Sequence, residues 1–365
     1  MRILMVTESL EHGGGARAVR FLANALSREN IDIHVYGVGV FLGYEKRIRL
    51  IESPGDKSMS FKFLMGFIRA AKITQPDIVH TNGMYTAMVA LFVRKVFKFK
   101  YKTIMTLHHT SETFRANWIA KRLIPFLNNV DMVHYLTPYQ KSIYEKFGLR
   151  PSAFRFIPNI VEIKSHDAGD VENLRKELLA KTSSKILVDF VGRLVESKQV
   201  DVFIKTIKQL RESGYPVGGV IVGTGNEEYL SGLKNLVKEL SVSEHVTFIG
   251  FSTKPELYMQ ASDFGLFPTL TEALPLFVIE SFALNKTMVV SNIPQMCGII
   301  TNQKDSLVVS EHDPEEYARC VAKLIDDNEL RQKLEAGAQE TYQSRYAPEK
   351  VLDQYLECYR AVLGK

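Results

Sequence analysis

Short apolar runs alternate with segments of helical spacing along the first half of the chain. The run RILMVT, residues 2–7, leads into a Gly-rich loop, and apolar residues then recur at helical intervals from Ala16 to Arg28. The runs IDIHVYGV, DIVHT, YKTIMTLHH and DMVHYLT predict four more strands. Helices are predicted between and after these strands, at 61–73, 84–97, 115–128 and 138–148.

The same alternation starts again in the second half. The runs KILVDFVG, VGGVIVG, HVTFIG, DFGLFP and TMVVS predict strands, with a short helix before DFGLFP. Longer helical patterns occur near 198–213 and at 226–240, 276–285, 314–327, 329–344 and 348–363. Buried strands that alternate with helices are typical of parallel sheets covered on both faces. We therefore predict an α/β protein with two Rossmann-like domains that face each other across a cleft. Ligands of such sheets bind beyond the carboxyl ends of the strands, so the loops after the strands should carry the chemistry.

The length of 365 residues also favours two domains, because it exceeds what one hydrophobic core usually supports. The polar stretch VEIKSHDAGD contains the predicted boundary, which separates a domain of residues 1–165 from a domain of residues 166–345. The apolar run at the N-terminus is too short for a signal peptide or a membrane span. Three cysteines without metal-ligand spacing indicate free thiols in a reducing compartment, so a cytoplasmic location is expected; they are Cys297, Cys320 and Cys358.

Charge is divided unevenly between these halves. Residues 1–165 hold 24 Lys and Arg against 12 Asp and Glu, whereas residues 166–365 hold 22 against 29. In the basic half, the segments 93–102 (VRKVFKFKYK) and 115–127 (RANWIAKRLIPFL) combine cations with aromatic and aliphatic residues. Such segments suit an anionic membrane surface, although ordinary helices with one solvated face account for them equally well. Nucleic acid is not an expected partner, because no nucleic-acid-binding motif accompanies this charge.

Polar residues suited to a sugar diphosphate follow two of the strands predicted in the second half. Arg193 and Lys198, in GRLVESKQ, come after the strand KILVDFVG, where two cations beside a helix start would stabilise a pyrophosphate. Gly223 and Gly225, in GTGNEE, would let the backbone approach a ligand closely. Taken alone, each feature also has a plain explanation, as solvated cations on a loop or as a tight turn.

Two carboxylates eight positions apart follow the strand DFGLFP. Glu272 is predicted to lie in the loop, Pro275 in the first turn of the next helix, and Glu280 further along that helix. The start of the helix would offer N–H groups to phosphate oxygens, while the carboxylates would accept hydrogen bonds from ribose or sugar hydroxyls. A pair of solvated glutamates is the alternative for this spacing taken alone.

The order of these loops resembles that in the donor domain of the GT4 family, whose members are retaining glycosyltransferases of the GT-B fold. The resemblance covers most of residues 186–294 through VGRLVESK, IVGTGNEEYL, HVTFIGF, ASDFGLFPTLTEALPLFVIESFAL and TMVVSNIP. It implies that residues 166–345 bind a nucleotide sugar and that residues 1–165 bind the acceptor. It also implies that the last helix, within residues 346–365, crosses back to the first domain.

The resemblance implies a role for each matched residue. Arg193 and Lys198 would hold the diphosphate. Glu272 would bind hydroxyls of the transferred sugar, and Glu280 would bind the ribose. Backbone amides around Leu274 and Pro275 would assist Glu272, and Leu276 and Phe277 would lie beside the phosphates. The loop of Gly223 and Gly225 would also contact the donor.

Three positions depart from the family pattern. Gln199 and Ala273 stand where glycine is usual, which bears on the geometry of two loops but removes no functional group. The segment SNIPQMCGIIT contains no glutamate, although the family tends to have one after this strand. The contact that this glutamate makes in the family is therefore missing or replaced.

The first domain would supply the acceptor side of the implied site. The family has a Gly-rich loop after its first strand that approaches the donor and the acceptor, and Gly14 and Gly15 in HGGG match it. His108, in TLHHT, would lie near the sugar ring and take part in catalysis. The adjacent His109 and the more distant His12 are weaker candidates.

We therefore predict transfer of a sugar from a nucleotide-diphosphate sugar to an acceptor hydroxyl, with retention of anomeric configuration. The breadth of the family favours a UDP-sugar. The basic first domain favours a glycan or lipid-linked acceptor in cell-envelope, capsule or exopolysaccharide synthesis, and a peripheral position at the inner face of the plasma membrane. The chain has no Asp-x-Asp metal motif, so we expect no obligatory metal or other cofactor besides the nucleotide-sugar co-substrate.

Two other functions remain open for the same scaffold. A sugar-nucleotide epimerase would convert the donor without any acceptor. A non-catalytic scaffold would bind the nucleotide without turnover. Incubation with a donor, followed by product analysis, separates the three functions.

Overall fold

The computed structural model describes residues 1–8, 14–39, 41, 43–55, 60–108, 118–310 and 312–364. The side chains of residues 118–121 and 123 are also outside the described part. The chain divides into two compact units: Met1–Val161 with Tyr346–Lys365 forms the first, and Glu162–Arg345 forms the second. Each unit is built on one parallel sheet, so the predicted α/β class with two Rossmann-like halves is confirmed.

The first unit has a seven-stranded sheet in the order β3-β2-β1-β4-β5-β6-β7. Its inner strands are nearly continuous apolar runs because helices cover both faces of the sheet. The strands are Arg2–Thr7 (β1), Asp32–Gly37 (β2), Arg49–Glu52 (β3), Ile78–Asn82 (β4), Lys102–Thr106 (β5), Met132–Tyr135 (β6) and Phe154–Phe156 (β7). The helices are Gly14–Arg28 (α1), Phe61–Thr74 (α2), Met84–Val96 (α3), Trp118–Leu127 (α4) and Pro138–Lys146 (α5).

The last helix of the chain, Pro348–Val362, completes the core of the first unit. It buries Val351 and Tyr359 in the same cluster as Met5 of β1 and residues of α1. The Tyr359 hydroxyl lies 2.7 Å from Nδ1 of His80, which is fully buried on β4. On the opposite face of the sheet, α2 and α3 pack together against Val6 and its neighbours.

The second unit has a six-stranded parallel sheet in the order β10-β9-β8-β11-β12-β13. Its strands are Ile186–Val191 (β8), Val217–Val222 (β9), Val246–Gly250 (β10), Phe264–Phe267 (β11), Met288–Ser291 (β12) and Ser306–Val309 (β13). Its α-helices are Ala168–Lys181 (α6), Val200–Glu212 (α7), Glu227–Glu239 (α8), Pro255–Ala261 (α9), Leu276–Ala283 (α10), Pro314–Asp326 (α11) and Asn328–Thr341 (α12). The last helix of the chain, Pro348–Val362 of the first unit, is therefore numbered α13. Short 3-10 turns occur at Glu196–Lys198 and Pro294–Met296.

Four elements are not anticipated by the hydrophobic pattern: β3, β7, β13 and α6. β3 and β7 are the two edges of the first sheet and are largely exposed, so they lack the buried run of an inner strand. α6 buries Leu178 and leaves most of its other positions exposed or half-buried, which removes the apolar stripe that marks a helix. β13 is a four-residue edge strand of the second sheet.

Asp189, in the middle of β8, gives the second unit an expected pH dependence of stability. Burial raises the pKa of Asp189 to about 8, although the nearby charge of Lys286 acts in the opposite direction. Between about pH 4, near the value of a free aspartate, and about pH 8, the native state therefore holds more protons than the unfolded chain. The free energy of unfolding should then fall as the pH rises through this window.

The substitution Asp189→Asn removes this titration, so the variant should lose less stability than the wild type over the same range. Glu177→Gln is the matched control, because Glu177 is exposed on α6. Urea unfolding followed by amide hydrogen exchange in β8 gives the slope of stability against pH for each protein. Equal slopes for the wild type and Asp189→Asn would refute this interpretation.

Candidate functional site

The second sheet has its topological switch point between β8 and β11. From β8 the chain extends the sheet on one side with β9 and β10, and then returns to add β11, β12 and β13 on the other side. Ligands of open α/β sheets bind in the crevice outside the carboxyl ends of the two strands at such a point. The loops that leave these ends contain Arg193 and Lys198 after β8 and Glu272 after β11.

Lys198 and Glu272 join the two loops as an ion pair in which Glu272 is buried and Lys198 is partly buried. Lys198 Nζ donates to Glu272 Oε1, and the side chains are 13% and 10% exposed. The backbones of the loops are also joined, because Leu270 N donates to Ser197 O at 2.8 Å and the Thr269 hydroxyl donates to the same oxygen at 3.2 Å. The structure thus brings together a cation predicted to hold phosphate and a carboxylate predicted to hold a sugar.

The surroundings of Glu272 carry an excess of positive charge. Burial raises the pKa of Glu272, whereas Lys198, a hydrogen bond with the Thr269 side chain and the charge of Arg193 act to lower it. Arg193 is exposed, and Lys198 Nζ lies 5.4 Å from the centre of the Phe267 ring. Two cations beside one carboxylate leave a net charge that favours an anion such as a diphosphate.

Gly223 and Gly225 hold the loop after β9 against the loop after β8. Leu194 N donates to Thr224 O at 2.8 Å, and Leu194 and Gly225 form a parallel bridge. A Cβ on Gly223 would overlap the carbonyl oxygen of Gly192, and a Cβ on Gly225 would overlap that of Leu194. Gly223 also has a φ of +142°, which disfavours any side chain. These glycines therefore shape the edge of the crevice by allowing two backbones to touch.

The start of α10 is oriented by Pro275. This residue is the N-cap, and its carbonyl accepts from Val278 N at 3.1 Å, while Leu276 N donates to Leu274 O at 2.9 Å. Pro275 has no N–H, so it cannot itself donate a backbone hydrogen bond to a ligand. The N–H of Phe277 meets no acceptor within the described part of the chain, so it is the first-turn donor that a phosphate oxygen could use.

Phe277 and Glu280 lie on the buried side of α10. The Phe277 ring packs against Phe267 and Phe190, with ring centroids 5.4 and 6.3 Å away, so its side chain belongs to the core. Glu280 is 3% exposed and Glu272 is 9% exposed. The alternative of two solvated glutamates is therefore wrong.

Two residues of this site are missed by the sequence analysis. Thr269 ties the loop after β11 to the loop after β8, as described above. Gln295, in the 3-10 turn after β12, is 5% exposed and donates from Nε2 to the Thr271 hydroxyl at 3.1 Å. Gln295 lies in SNIPQMCGIIT, the segment in which the family tends to have a glutamate. The sequence therefore marked this position by an amide after a strand and not by an acid.

The first unit brings Gly15 and His108 together at the carboxyl edge of its sheet. A Cβ placed on Gly15, in the first turn of α1, would contact His108 Cγ at 3.6 Å. Gly14 is the exposed first residue of α1. His109, His12 and Gly13 are outside the described residues.

Asn82 and Glu8 extend this edge and were not predicted. His108 Nε2 lies 2.8 Å from Oδ1 of Asn82, the last residue of β4. Glu8 follows β1, and burial raises its pKa. Gly83, with a φ of +130°, leaves room for Glu8, because a Cβ there would lie 2.8 Å from Glu8 Oε1. The available signal in the sequence was a polar residue at the end of one strand and another directly after a second strand.

The contacts of Asn82 predict the tautomer of His108. Asn82 Nδ2 donates to Val6 O at 3.4 Å, so Oδ1 is the atom that faces His108. An amide oxygen only accepts hydrogen bonds, so Nε2 of neutral His108 should carry the proton and Nδ1 the lone pair.

Nitrogen-15 chemical shifts of the imidazole report this tautomer directly. We expect the Nε2–H form in the wild type and a mixture of tautomers in Asn82→Leu. Gln75→Leu is the control, because Gln75 is exposed at the end of α2. A wild-type His108 protonated at Nδ1 would show that Asn82 does not set its orientation.

Within the described ranges, no group of three or more His, Cys, Asp or Glu side chains is arranged to hold a metal ion. In the same ranges, no helix is both long enough and apolar enough to cross a membrane. The three cysteines are free thiols, of which Cys297 is exposed and Cys358 is buried.

Known proteins resemble this chain in sequence and in fold. An uncharacterized glycosyltransferase of Haemophilus influenzae is 26% identical over 356 residues, 94% of this chain and 95% of the relative. The UDP-Gal:alpha-D-GlcNAc-diphosphoundecaprenol alpha-1,3-galactosyltransferase of Escherichia coli is 23% identical over 286 residues, 74% of this chain and 71% of the relative. The crystal structure of Anabaena HepE with UDP and glucose has a TM-score of 0.85 at 17% identity and covers 98% of this chain and 99% of its own.

The fold and the family follow from these matches. The likeness to HepE shows the GT-B fold, as predicted. The model of Glycosyltransferase Family 4 matches residues 12–165, and the model of Glycosyl transferases group 1 matches residues 170–341. Since the two models together span nearly the whole chain, this protein belongs to the group 1 and family 4 glycosyltransferases.

Proposed function

We propose that this glycosyltransferase is a retaining enzyme that moves a hexose from a UDP-sugar to a hydroxyl of a glycan or lipid-linked intermediate in cell-envelope, capsule or exopolysaccharide synthesis. The observation that carries the proposal is the partly buried Lys198–Glu272 pair at the switch point of the second sheet, with Arg193 beside it. The UDP and glucose in HepE and the UDP-galactose donor and diphosphoundecaprenol acceptor named for the Escherichia coli relative support it.

In this proposal the second unit binds the donor and the first binds the acceptor. Arg193, Lys198 and the Phe277 N–H stabilise the diphosphate as it leaves, which is the electrostatic part of catalysis. Glu272 binds hydroxyls of the sugar, and Glu280 binds the ribose. Gly15 and His108 are the acceptor-side residues of the first unit, and the loop of Gly223 and Gly225 supports the donor crevice of the second.

The reaction exchanges one bond at the anomeric carbon for another. The bond from that carbon to the diphosphate oxygen breaks, a bond to the acceptor oxygen forms on the same face, and the acceptor proton passes to the departing phosphate. Glu272 is already paired with Lys198, so in this proposal it binds the sugar and does not attack the anomeric carbon as a nucleophile.

The donor and the reaction class can be tested together. Thermal unfolding in the presence of UDP-, GDP- and ADP-sugars identifies the donor, because a ligand that binds the native state raises its stability. Product analysis with and without acceptor then follows, with the anomeric configuration determined by NMR. Donor conversion without acceptor would indicate an epimerase, binding without turnover would indicate a scaffold, and an inverted product would contradict the retaining mechanism.

We propose that the protein works in the cytoplasm, at the inner face of the plasma membrane. Segment 93–102 supports this location, because four of its cations are exposed: Lys95, Lys98, Lys100 and Lys102. Of the second basic segment, residues 115–117 and most of the side chains in 118–123 are outside the described part, so it adds no structural support.

A further inference from the structure

Exposed apolar residues concentrate on two helices of the first unit. Of the eleven large hydrophobic residues that are exposed in the described chain, six lie on α2, on α3 or directly after α3. They are Phe61 (73% exposed), Met65 (48%), Ile73 (48%), Phe92 (47%), Val96 (54%) and Phe97 (43%). Folding alone does not explain them, because both helices already bury their other sides in the core.

The charges around these residues are almost all positive. Residues 60–102 contain eight lysines and arginines and one acid, Asp77, which lies in the turn before β4. Arg94 and Lys102 pair with Asp131, outside this range, which leaves six cations for the exposed surface. On α2 the exposed cations lie among the exposed hydrophobic residues, because Lys62, Arg69 and Lys72 alternate with them along the helix. α2 and α3 themselves contain no Asp or Glu.

The two helices present one continuous surface, here named the α2–α3 face: the exposed side of α2, the exposed side of α3 and residues 97–100. Both helices pack on the same side of the sheet, against the same core cluster. Their ends touch, because Lys72 Nζ lies 5.6 Å from the centre of the Phe97 ring. A 14-residue helix such as α2 is about 21 Å long, so the face is large enough to lie along a surface rather than to fill a pocket.

We propose that the α2–α3 face docks on an anionic lipid bilayer. Aromatic and aliphatic tips enter the head-group region while lysines and arginines pair with anionic head groups and keep their charges in water. A polyanion such as nucleic acid would use the cations but would gain little from Phe61, Met65 or Val96. The mixture of both residue types therefore favours a bilayer.

The position of the face fits the acceptor side. α2 follows β3, so its first residue, Phe61, lies towards the carboxyl edge of the sheet, the edge that carries Gly15 and His108. A bilayer along this flank would present the head group of a lipid-linked acceptor at that edge. This inference rests on the proposed function for its biological meaning, although the docking itself does not depend on catalysis.

Vesicle sedimentation with the full chain tests the proposal. The wild type should sediment with vesicles of phosphatidylglycerol and phosphatidylcholine and remain free with phosphatidylcholine alone. Each Lys or Arg near an anionic surface changes the partition coefficient between membrane and water about fivefold. The triple variant Lys72→Glu, Lys95→Glu, Lys100→Glu should therefore bind these vesicles at least tenfold more weakly. The control reverses three exposed lysines of the second unit by Lys181→Glu, Lys234→Glu and Lys238→Glu, and it should bind as the wild type does.

A second variant tests the apolar contribution. Phe61→Gln with Met65→Gln and Val96→Gln should also weaken vesicle binding at least tenfold, whereas Phe251→Gln, at an exposed position of the second unit, should not. If the charge variant loses binding and the apolar variant keeps it, the face is a polyanion site and the bilayer proposal is wrong. The proposal is also wrong if the wild type ignores anionic vesicles.

Donor turnover on a water-soluble acceptor separates this proposal from the proposed function. All four variants should keep wild-type turnover in that assay, because none alters a residue of the site. If the wild type turns over the donor but does not bind vesicles, the docking proposal is wrong and the proposed function stands. If the wild type binds vesicles but shows no turnover, the proposed function is wrong and the docking proposal stands.

Discussion

Replacing Lys198 by methionine is expected to lower donor turnover at least a hundredfold. Lys198 is the partly buried cation at the crevice between β8 and β11, and removal of one preorganised donor from such a site typically costs two to three orders of magnitude in rate. Lys205→Met is the matched control, because Lys205 is a half-exposed lysine on α7 that pairs with Asp201 on the same helix. Its turnover should match the wild type.

The same substitution should also destabilise the second unit. It leaves the Glu272 carboxylate buried without its cation, and breaking a buried pair in this way can cost about 3 kcal/mol. The double variant, Lys198→Met with Glu272→Gln, removes the stranded charge and should recover most of that stability without recovering turnover. Recovery of both would show that Lys198 has only a structural role.

Gly223→Ala should destabilise the second unit by about 3 kcal/mol and abolish donor binding. The new methyl group would overlap the carbonyl oxygen of Gly192, and alanine is strained at a φ of +142°. The loop after β9 would then separate from the loop after β8, which carries Arg193 and Lys198. Urea unfolding and donor titration measure the two effects.

Gly232→Ala provides the control for this substitution. Gly232 lies on α8, and a Cβ there meets no atom within 4 Å in the described structure. Alanine is a better helix former than glycine by about 1 kcal/mol, so this variant should be slightly more stable than the wild type and bind the donor normally. If Gly223→Ala behaved like Gly232→Ala, close packing of the two loops would not matter.

The inner strands were predictable because burial on both faces leaves a clear mark in the sequence. β1 and β9 are buried almost throughout and appear as unbroken apolar runs. β3 could not be found in this way, since three of its four residues are exposed at the edge of the sheet. The same reasoning explains why α6, with one buried residue, gave no helical stripe.

The candidate site was predictable residue by residue but not as pairs. Lys198 and Glu272 each stood out at a strand end, yet they are 74 residues apart. Their contact depends on β8 lying beside β11, which is a property of strand order and not of either loop. Gly223 and Gly225 were assigned to the donor because glycine permits close approach, and the structure shows that what approaches is the neighbouring backbone.

Asn82 and Gln295 were missed for a different reason. Each is an amide that acts through one hydrogen bond, to His108 and to Thr271 respectively. An isolated amide in a sequence carries no spacing or charge signal, so its partner becomes visible only when the strands are placed side by side. Residues that position others are therefore harder to predict than residues that carry charge.

The most direct test of the donor site is the turnover of a nucleotide sugar by Glu280→Ala and by Lys198→Ala, each compared with Lys205→Met. Retained cooperative thermal unfolding shows that each variant is folded. We predict that kcat/KM falls at least tenfold in Glu280→Ala, through a higher donor KM, and at least a hundredfold in Lys198→Ala, through a lower kcat. Near-normal rates in both variants would contradict the placement of the donor site between β8 and β11.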